Sequence, residues 1–154
     1  MSGLSDKLEQ TLRKMMTEPN FEIFEHRGLK CMIKRHFQYG SLNGYVGVAR
    51  DSRFFGKNYD EIDEMLPDLS VHGGITFADY WDEQNDNLWY IGFDCGHAYD
   101  YQPMYKLMFQ FVKDFPKSPT LDREEQYRDI EYVRTEVRAL ADQLLGYKRL
   151  DEWN

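Results

Sequence analysis

The sequence predicts an α+β fold: a mainly antiparallel sheet of about five strands with an N-terminal helix and a long C-terminal amphipathic helix. Three observations predict it. Apolar residues recur at helical spacing before Pro19, the pattern switches to short β-branched and aromatic runs at Phe21, and helical spacing returns after Asp122. The 154 residues fit one domain spanning 1–154, with 1–20 helical, 21–100 forming the sheet region and 101–154 helical again.

Leu4, Leu8, Leu12, Met15 and Met16 make an apolar stripe over residues 4–18, and Pro19-Asn20 stops it. Such a stripe packs on a sheet or serves a partner or a second copy of the chain, so a homo-oligomer stays open. FEIFEH, LKCMIKRHF and LNGYVGVA follow, separated by Gly28 and Tyr39-Gly40-Ser41, and these short links predict three consecutive antiparallel strands. Residues 50–68 read as a loop with a short helical turn in NYDEIDEM. Strand-like segments return at residues 69–81 and 88–97, joined by the polar loop DEQNDN. MYKLMFQFVKDF, residues 104–115, reads as a short helix cut by Pro116 and Pro119. The terminal helix is expected to start near Thr120 or Asp122, because Asp122 and Glu125 have capping-box spacing. Ile130, Val133, Val137, Leu140, Ala141, Leu144 and Leu145 then fall on one face up to Gly146.

Composition excludes several classes. With 42% hydrophobic residues, including 3 Trp, 11 Tyr and 10 Phe, the chain has the burial units of a globular domain and is neither disordered nor fibrous. No stretch approaches the roughly 20 apolar residues of a membrane span, and MSGLSDKLEQ lacks a signal-peptide pattern, so a cytoplasmic protein is expected. A net charge of −8 gives no broad drive toward nucleic acid or anionic membranes. Arg27, Lys30, Lys34, Arg35 and His36 form a local basic stretch, read as a solvated strand face or as a contact for a phosphate-bearing molecule. The two cysteines, Cys31 and Cys95, lack CxxC spacing and read as free thiols.

The chemistry-bearing residues gather at two strand ends. If the strands pair through residues 82–87, Thr76 lies opposite Phe93 or Asp94, and His72 opposite His97 or Ala98. His72, Gly73, Thr76, Asp94, Cys95, His97 and Asp100 then converge at one end of a hairpin. Glycines there allow positive φ and let backbone N–H groups meet an anion. His72, Asp94, His97 and Asp100 are competent metal ligands, although no established zinc spacing such as HExxH occurs. Satisfied polar groups of a tight hairpin end are the plain alternative. Cys95 near His97 invites a thiolate–imidazole nucleophile only if the strand continues through Gly96. No GxGxxG, P-loop or GxSxG is present, which disfavours dinucleotide folds and serine hydrolases.

A second polar cluster lies in QYRDIEYVRTE, where Arg128 and Tyr132 have i, i+4 spacing on the expected helix. A solvated helix face is the plain reading. If the helix crosses the open hairpin end, Arg128 becomes an anion clamp and Tyr132 a stacking platform, with Asn43 and Tyr45 lining the same mouth.

SLNGYVGVARDSRFFGKNYDEID, SVHGGITF, LWYIGFDCGHAYD and YRDIEYVRTEVRALADQL, across residues 21–145, resemble a widespread family of uncharacterised proteins encoded in bacteriophages and prophages. That family's pattern is H-x-N-G-Y-V-G-V, V-H-G-G-x-T, G-F-D-C-x-H-x-x-D and Y-R-x-x-E-Y-V, and Ser41 stands here in place of its first His. The resemblance implies a viral origin, the cytoplasm of a host cell, and accessory or counter-defence work. It brings no mechanism with it. The expectation is a small protein that sequesters a nucleotide-type host immune signal, with phosphate on backbone N–H groups and Arg128 and no cofactor required. A metal-assisted nucleotide hydrolase using His72, Asp94, His97 and Asp100, and a protein inhibitor of a host defence enzyme, are the two alternatives.

Overall fold

The structure, a computed structural model, describes residues 5–112, 114–116 and 120–149. Leu4, Lys113 and Pro119, named above, lie outside the described residues. Helix α1 (Asp6–Met16) starts where the Ser5 hydroxyl accepts a hydrogen bond from Leu8 N, with Asp6 and Glu9 in its first turn and Arg13 and Lys14 in its last. These charges complement the helix dipole, and Leu8 on the inner face is fully buried.

Strands β1 (Phe21–His26), β2 (Leu29–Arg35), β3 (Leu42–Val48), β4 (Phe77–Tyr80) and β5 (Trp89–Phe93) form one antiparallel sheet in the order β1-β2-β3-β5-β4. Arg27 and Gly28 both take positive φ, which suits the two-residue turn between β1 and β2. The helical turn expected within residues 50–68 is α2 (Tyr59–Met65), with Asn58 and Glu61 making a reciprocal capping box. The short helix after Pro103 is α3 (Pro103–Phe111).

Helix α4 (Ile130–Leu144) covers one face of the sheet. Val133, Val137 and Leu140 pack there on Cys31, Ile33, Val46, Ile91 and Phe93, all essentially without solvent contact. Full burial of each such valine or leucine contributes about 1.5–3 kcal/mol. Helix and sheet approach closely because Gly44 has no side chain; a Cβ there would lie 2.4 Å from Val137 Cγ2. On the other face, Met32, Tyr45 and Tyr90 are buried beneath Phe77, Trp81 and Leu88, so the β4–β5 connection folds back over the sheet. Lys30 ties that connection down through Gln84 (2.9 Å) and Asp86 (2.7 Å).

Two expectations are corrected. Residues 69–76 are not strand: β4 begins at Phe77, and Val71 to Gly74 form a turn closed by Gly74 N donating to Val71 O, with Gly73 and Gly74 at positive φ. The terminal helix starts at Ile130, not near Asp122. Residues 122–124 make only a 3₁₀ turn, and Gln126 is drawn into backbone pairing with Tyr99 and Tyr101. Asp129 is the N-cap, accepting from Tyr132 N, while the buried Glu18 carboxylate accepts from Ile130 N. No described helix is long and apolar enough to cross a membrane.

Candidate metal centre

Asp100 is the hub. The 97–100 turn wraps around its carboxylate: Asp100 N donates to His97 O, and His97 N donates back to Asp100 Oδ2 (3.0 Å). His72 Nε2 lies 2.9 Å from both carboxylate oxygens, and Arg128 Nε donates to Oδ1 at 2.9 Å. Burial of the side chain pushes the Asp100 carboxyl up, but the bonds from His72, Arg128 and His97 N outweigh it and hold the carboxyl below its ordinary value.

His72 is fixed from three directions. Its Nδ1 lies 2.7 Å from the Tyr132 hydroxyl, its Nε2 meets Asp100, and its backbone N donates to Glu136 Oε1 (2.8 Å). Burial, with the Glu136 charge, raises the pKa of Tyr132 and keeps the phenol protonated. The His97 ring sits 6.1 Å from that of His72, centroid to centroid, and rests on Gly73. A Cβ at Gly73 would fall 2.4 Å from the imidazole, so only glycine fits under it. His97 Nδ1 lies 3.3 Å from Asp94 Oδ1 and 3.8 Å from Asp100 Oδ2, yet it is buried and makes no hydrogen bond with either.

The expected clustering of His72, Gly73, Asp94, His97 and Asp100 is thus present, with Thr76 donating to Asp94 Oδ2 (2.9 Å). The hairpin register carries Thr76 and Asp94 there, since Phe77 pairs with Gly92 and Thr76 N donates to Gly92 O. Cys95 adjoins the cluster but is fully buried. That burial, with the Asp100 and Asp94 charges, pushes its thiol well above the ordinary range, so it supplies no thiolate. Asn43 contributes by accepting from Cys95 N (3.3 Å). Tyr45 does not join the mouth: it lies on the sheet face turned away from α4, packed against Phe77 and Trp81.

Arg128 precedes α4 rather than lying on it, yet its guanidinium carbon sits 5.1 Å over the Tyr132 ring. Of the basic stretch, Arg27 pairs with Asp142, Lys30 with Asp86 and Arg35 with Glu18, while Lys34 lies over Trp81. Glu136, which holds the His72 backbone and pairs with Arg149, was not singled out from sequence. Its i+4 spacing from Tyr132 was the available signal, whereas nothing local pointed to Arg149. A groove of about 650 Å³ opens beside His72 and Tyr132, bordered by Ser70, Thr135, Glu136 and Arg149.

No family model, curated protein or solved structure matches the chain. The chemistry of the site follows from its own geometry. His72, His97 and Asp100 each offer one ligand atom, all within 4.8 Å of one another. Bonds of about 2.1 Å to a tetrahedral ion place ligand atoms about 3.4 Å apart. The observed 2.9 Å and 3.8 Å separations from Asp100 straddle that value, so small side-chain shifts suffice to close the three on one ion. Asp94 stays outside this group of three.

Proposed function

We propose that the protein is a hydrolase working through a zinc ion held by His72, His97 and Asp100. The observation that carries the reading is the buried His97 Nδ1, which makes no hydrogen bond although it faces a carboxylate and a second imidazole. Its nearest oxygen, Asp94 Oδ1 at 3.3 Å, pairs with it by charge but not by a hydrogen bond, and a metal bond at that nitrogen would satisfy it.

Two imidazoles and one carboxylate leave coordination positions open, the arrangement of a catalytic rather than a structural zinc site. The Tyr132 hydroxyl on His72 Nδ1 would hold the ring with Nε2 toward the ion, and Arg128 on Asp100 Oδ1 would orient the carboxylate. Asp94, partly exposed and 3.3 Å from His97, is placed to accept the proton of a water activated there. The water oxygen would bond to the substrate's electrophilic centre as the bond to the leaving group breaks, and Asp94 would return the proton to the leaving oxygen.

Calorimetric titration with Zn²⁺ followed by an ester-hydrolysis assay tests the reading. Stoichiometric binding, lost in His97→Ala and in Asp100→Asn, together with zinc-dependent turnover, is the expected result. A protein that takes no zinc, or that takes only Fe²⁺, overturns it. Zinc binding with a retained, unaltered ligand replaces hydrolysis with sequestration.

A further inference from the structure

We infer that the substrate carries a phosphate group, that Arg128 clamps it, and that the metal must bind first. This rests on the metal reading above. Arg128 uses Nε on Asp100 and Nη1 on Gln126 (2.8 Å), and Nη2 makes no hydrogen bond among the described residues. Stacking on Tyr132 holds the plane of the guanidinium in place. The fork is therefore preset with a donor to spare, the geometry that suits a multi-oxygen anion.

Charge decides the order of binding. Asp94 and Asp100 set two carboxylates against the single guanidinium of Arg128, so the metal-free cluster offers a phosphate one fixed cationic partner. A divalent ion held by His72, His97 and Asp100 would add a second cationic partner beside it. The Asp100 carboxylate would then be shared between that ion and the guanidinium. His72 Nε2 lies 2.9 Å from both oxygens, His97 N donates to Oδ2, and Arg128 donates to Oδ1. A phosphate, with its several terminal oxygens, would have one for each of these two cations. A neutral ester has no use for the second one.

Inorganic phosphate titrated calorimetrically into zinc-loaded and metal-free protein, after removal of excess zinc, reads the inference directly. Phosphate is expected to bind the zinc-loaded protein at least ten-fold more tightly than the metal-free protein. Arg128→Gln, kept saturated with zinc, should weaken phosphate binding about 10- to 100-fold. Arg128→Lys keeps the charge, guards against loss of folding in the glutamine variant, and should fall between the two. Equal phosphate affinity with and without zinc, or no response to either Arg128 variant, overturns the inference and leaves the zinc site standing. A protein that takes no zinc brings down both readings.

Discussion

The Tyr132 hydroxyl lies 2.7 Å from His72 Nδ1, and this contact joins the first turn of α4 to the glycine turn that follows Val71. Asp129 caps the helix and so sets Tyr132, while Glu136 one turn later holds the His72 backbone. Tyr132→Phe keeps the ring and its packing but frees the imidazole to rotate. Zinc affinity should fall about 10- to 100-fold, with stability lowered by no more than about 1.5 kcal/mol. Paired zinc calorimetry and urea unfolding measure both quantities, and unchanged zinc affinity would show that the hydroxyl does not orient the ligand.

Adjacent glycines should behave differently. Gly73 and Gly74 both have positive φ, so alanine at either strains the backbone by about 1 kcal/mol or more. At Gly74 a Cβ meets nothing within 4 Å, whereas at Gly73 it collides with the His97 ring. Gly73→Ala should therefore displace His97 and abolish tight zinc binding, while Gly74→Ala loses stability and keeps the site. Similar zinc affinities in the two variants would count against His97 as a ligand.

Local periodicity carries the five strands and α1, because alternating burial and turn glycines leave a mark within a few residues. It also places Thr76 and Asp94 together, since register follows from the loop between the strands. The start of α4 was not legible. Asp122 with Glu125 offers cap spacing as good as that of Asp129, and what selects Asp129 is remote: Glu18 accepting from Ile130 N and Gln126 pairing beside Asp100. Tyr45 was assigned to the wrong side because period two groups Asn43 with Tyr45 without saying which face meets α4. Arg128 on Asp100 is a contact across 28 positions, set by the fold of the connection before α4.

Glu18 and Arg35 form an ion pair removed from solvent, with Nη2 and Oε1 3.3 Å apart. Asn20, the Gly40 carbonyl and the Tyr127 hydroxyl satisfy further guanidinium donors, and Tyr127 and Ile130 N donate to Glu18. Removing one partner strands a buried charge, so Arg35→Met should cost about 3–5 kcal/mol. Adding Glu18→Gln to that variant should restore part of the loss, because the orphaned charge goes with it. Urea midpoints of the single and double variants decide; strictly additive losses would mean that the two charges do not interact.

Glu22 on β1 and Arg134 on α4 pair with Nη2–Oε1 at 2.5 Å and Nε–Oε2 at 2.7 Å, a bidentate contact that ties the edge strand to the helix. Hydrogen bonding to Arg134 outweighs burial and holds the Glu22 carboxyl below its ordinary value of 4.5. A carboxyl whose pKa is lowered by folding stabilises the protein above the unfolded-state value and loses that contribution as pH falls through the folded-state value. Glu22→Gln should therefore cost about 1 kcal/mol at pH 7, discounted for partial exposure, and the difference from the parent should shrink once pH drops below about 4. Sodium chloride at 1 M should shrink it at neutral pH as well. Urea unfolding of both proteins from pH 3 to pH 8 supplies the test. A gap between them that widens toward low pH would reverse the assigned sign and remove Arg134 as the cause of the shift.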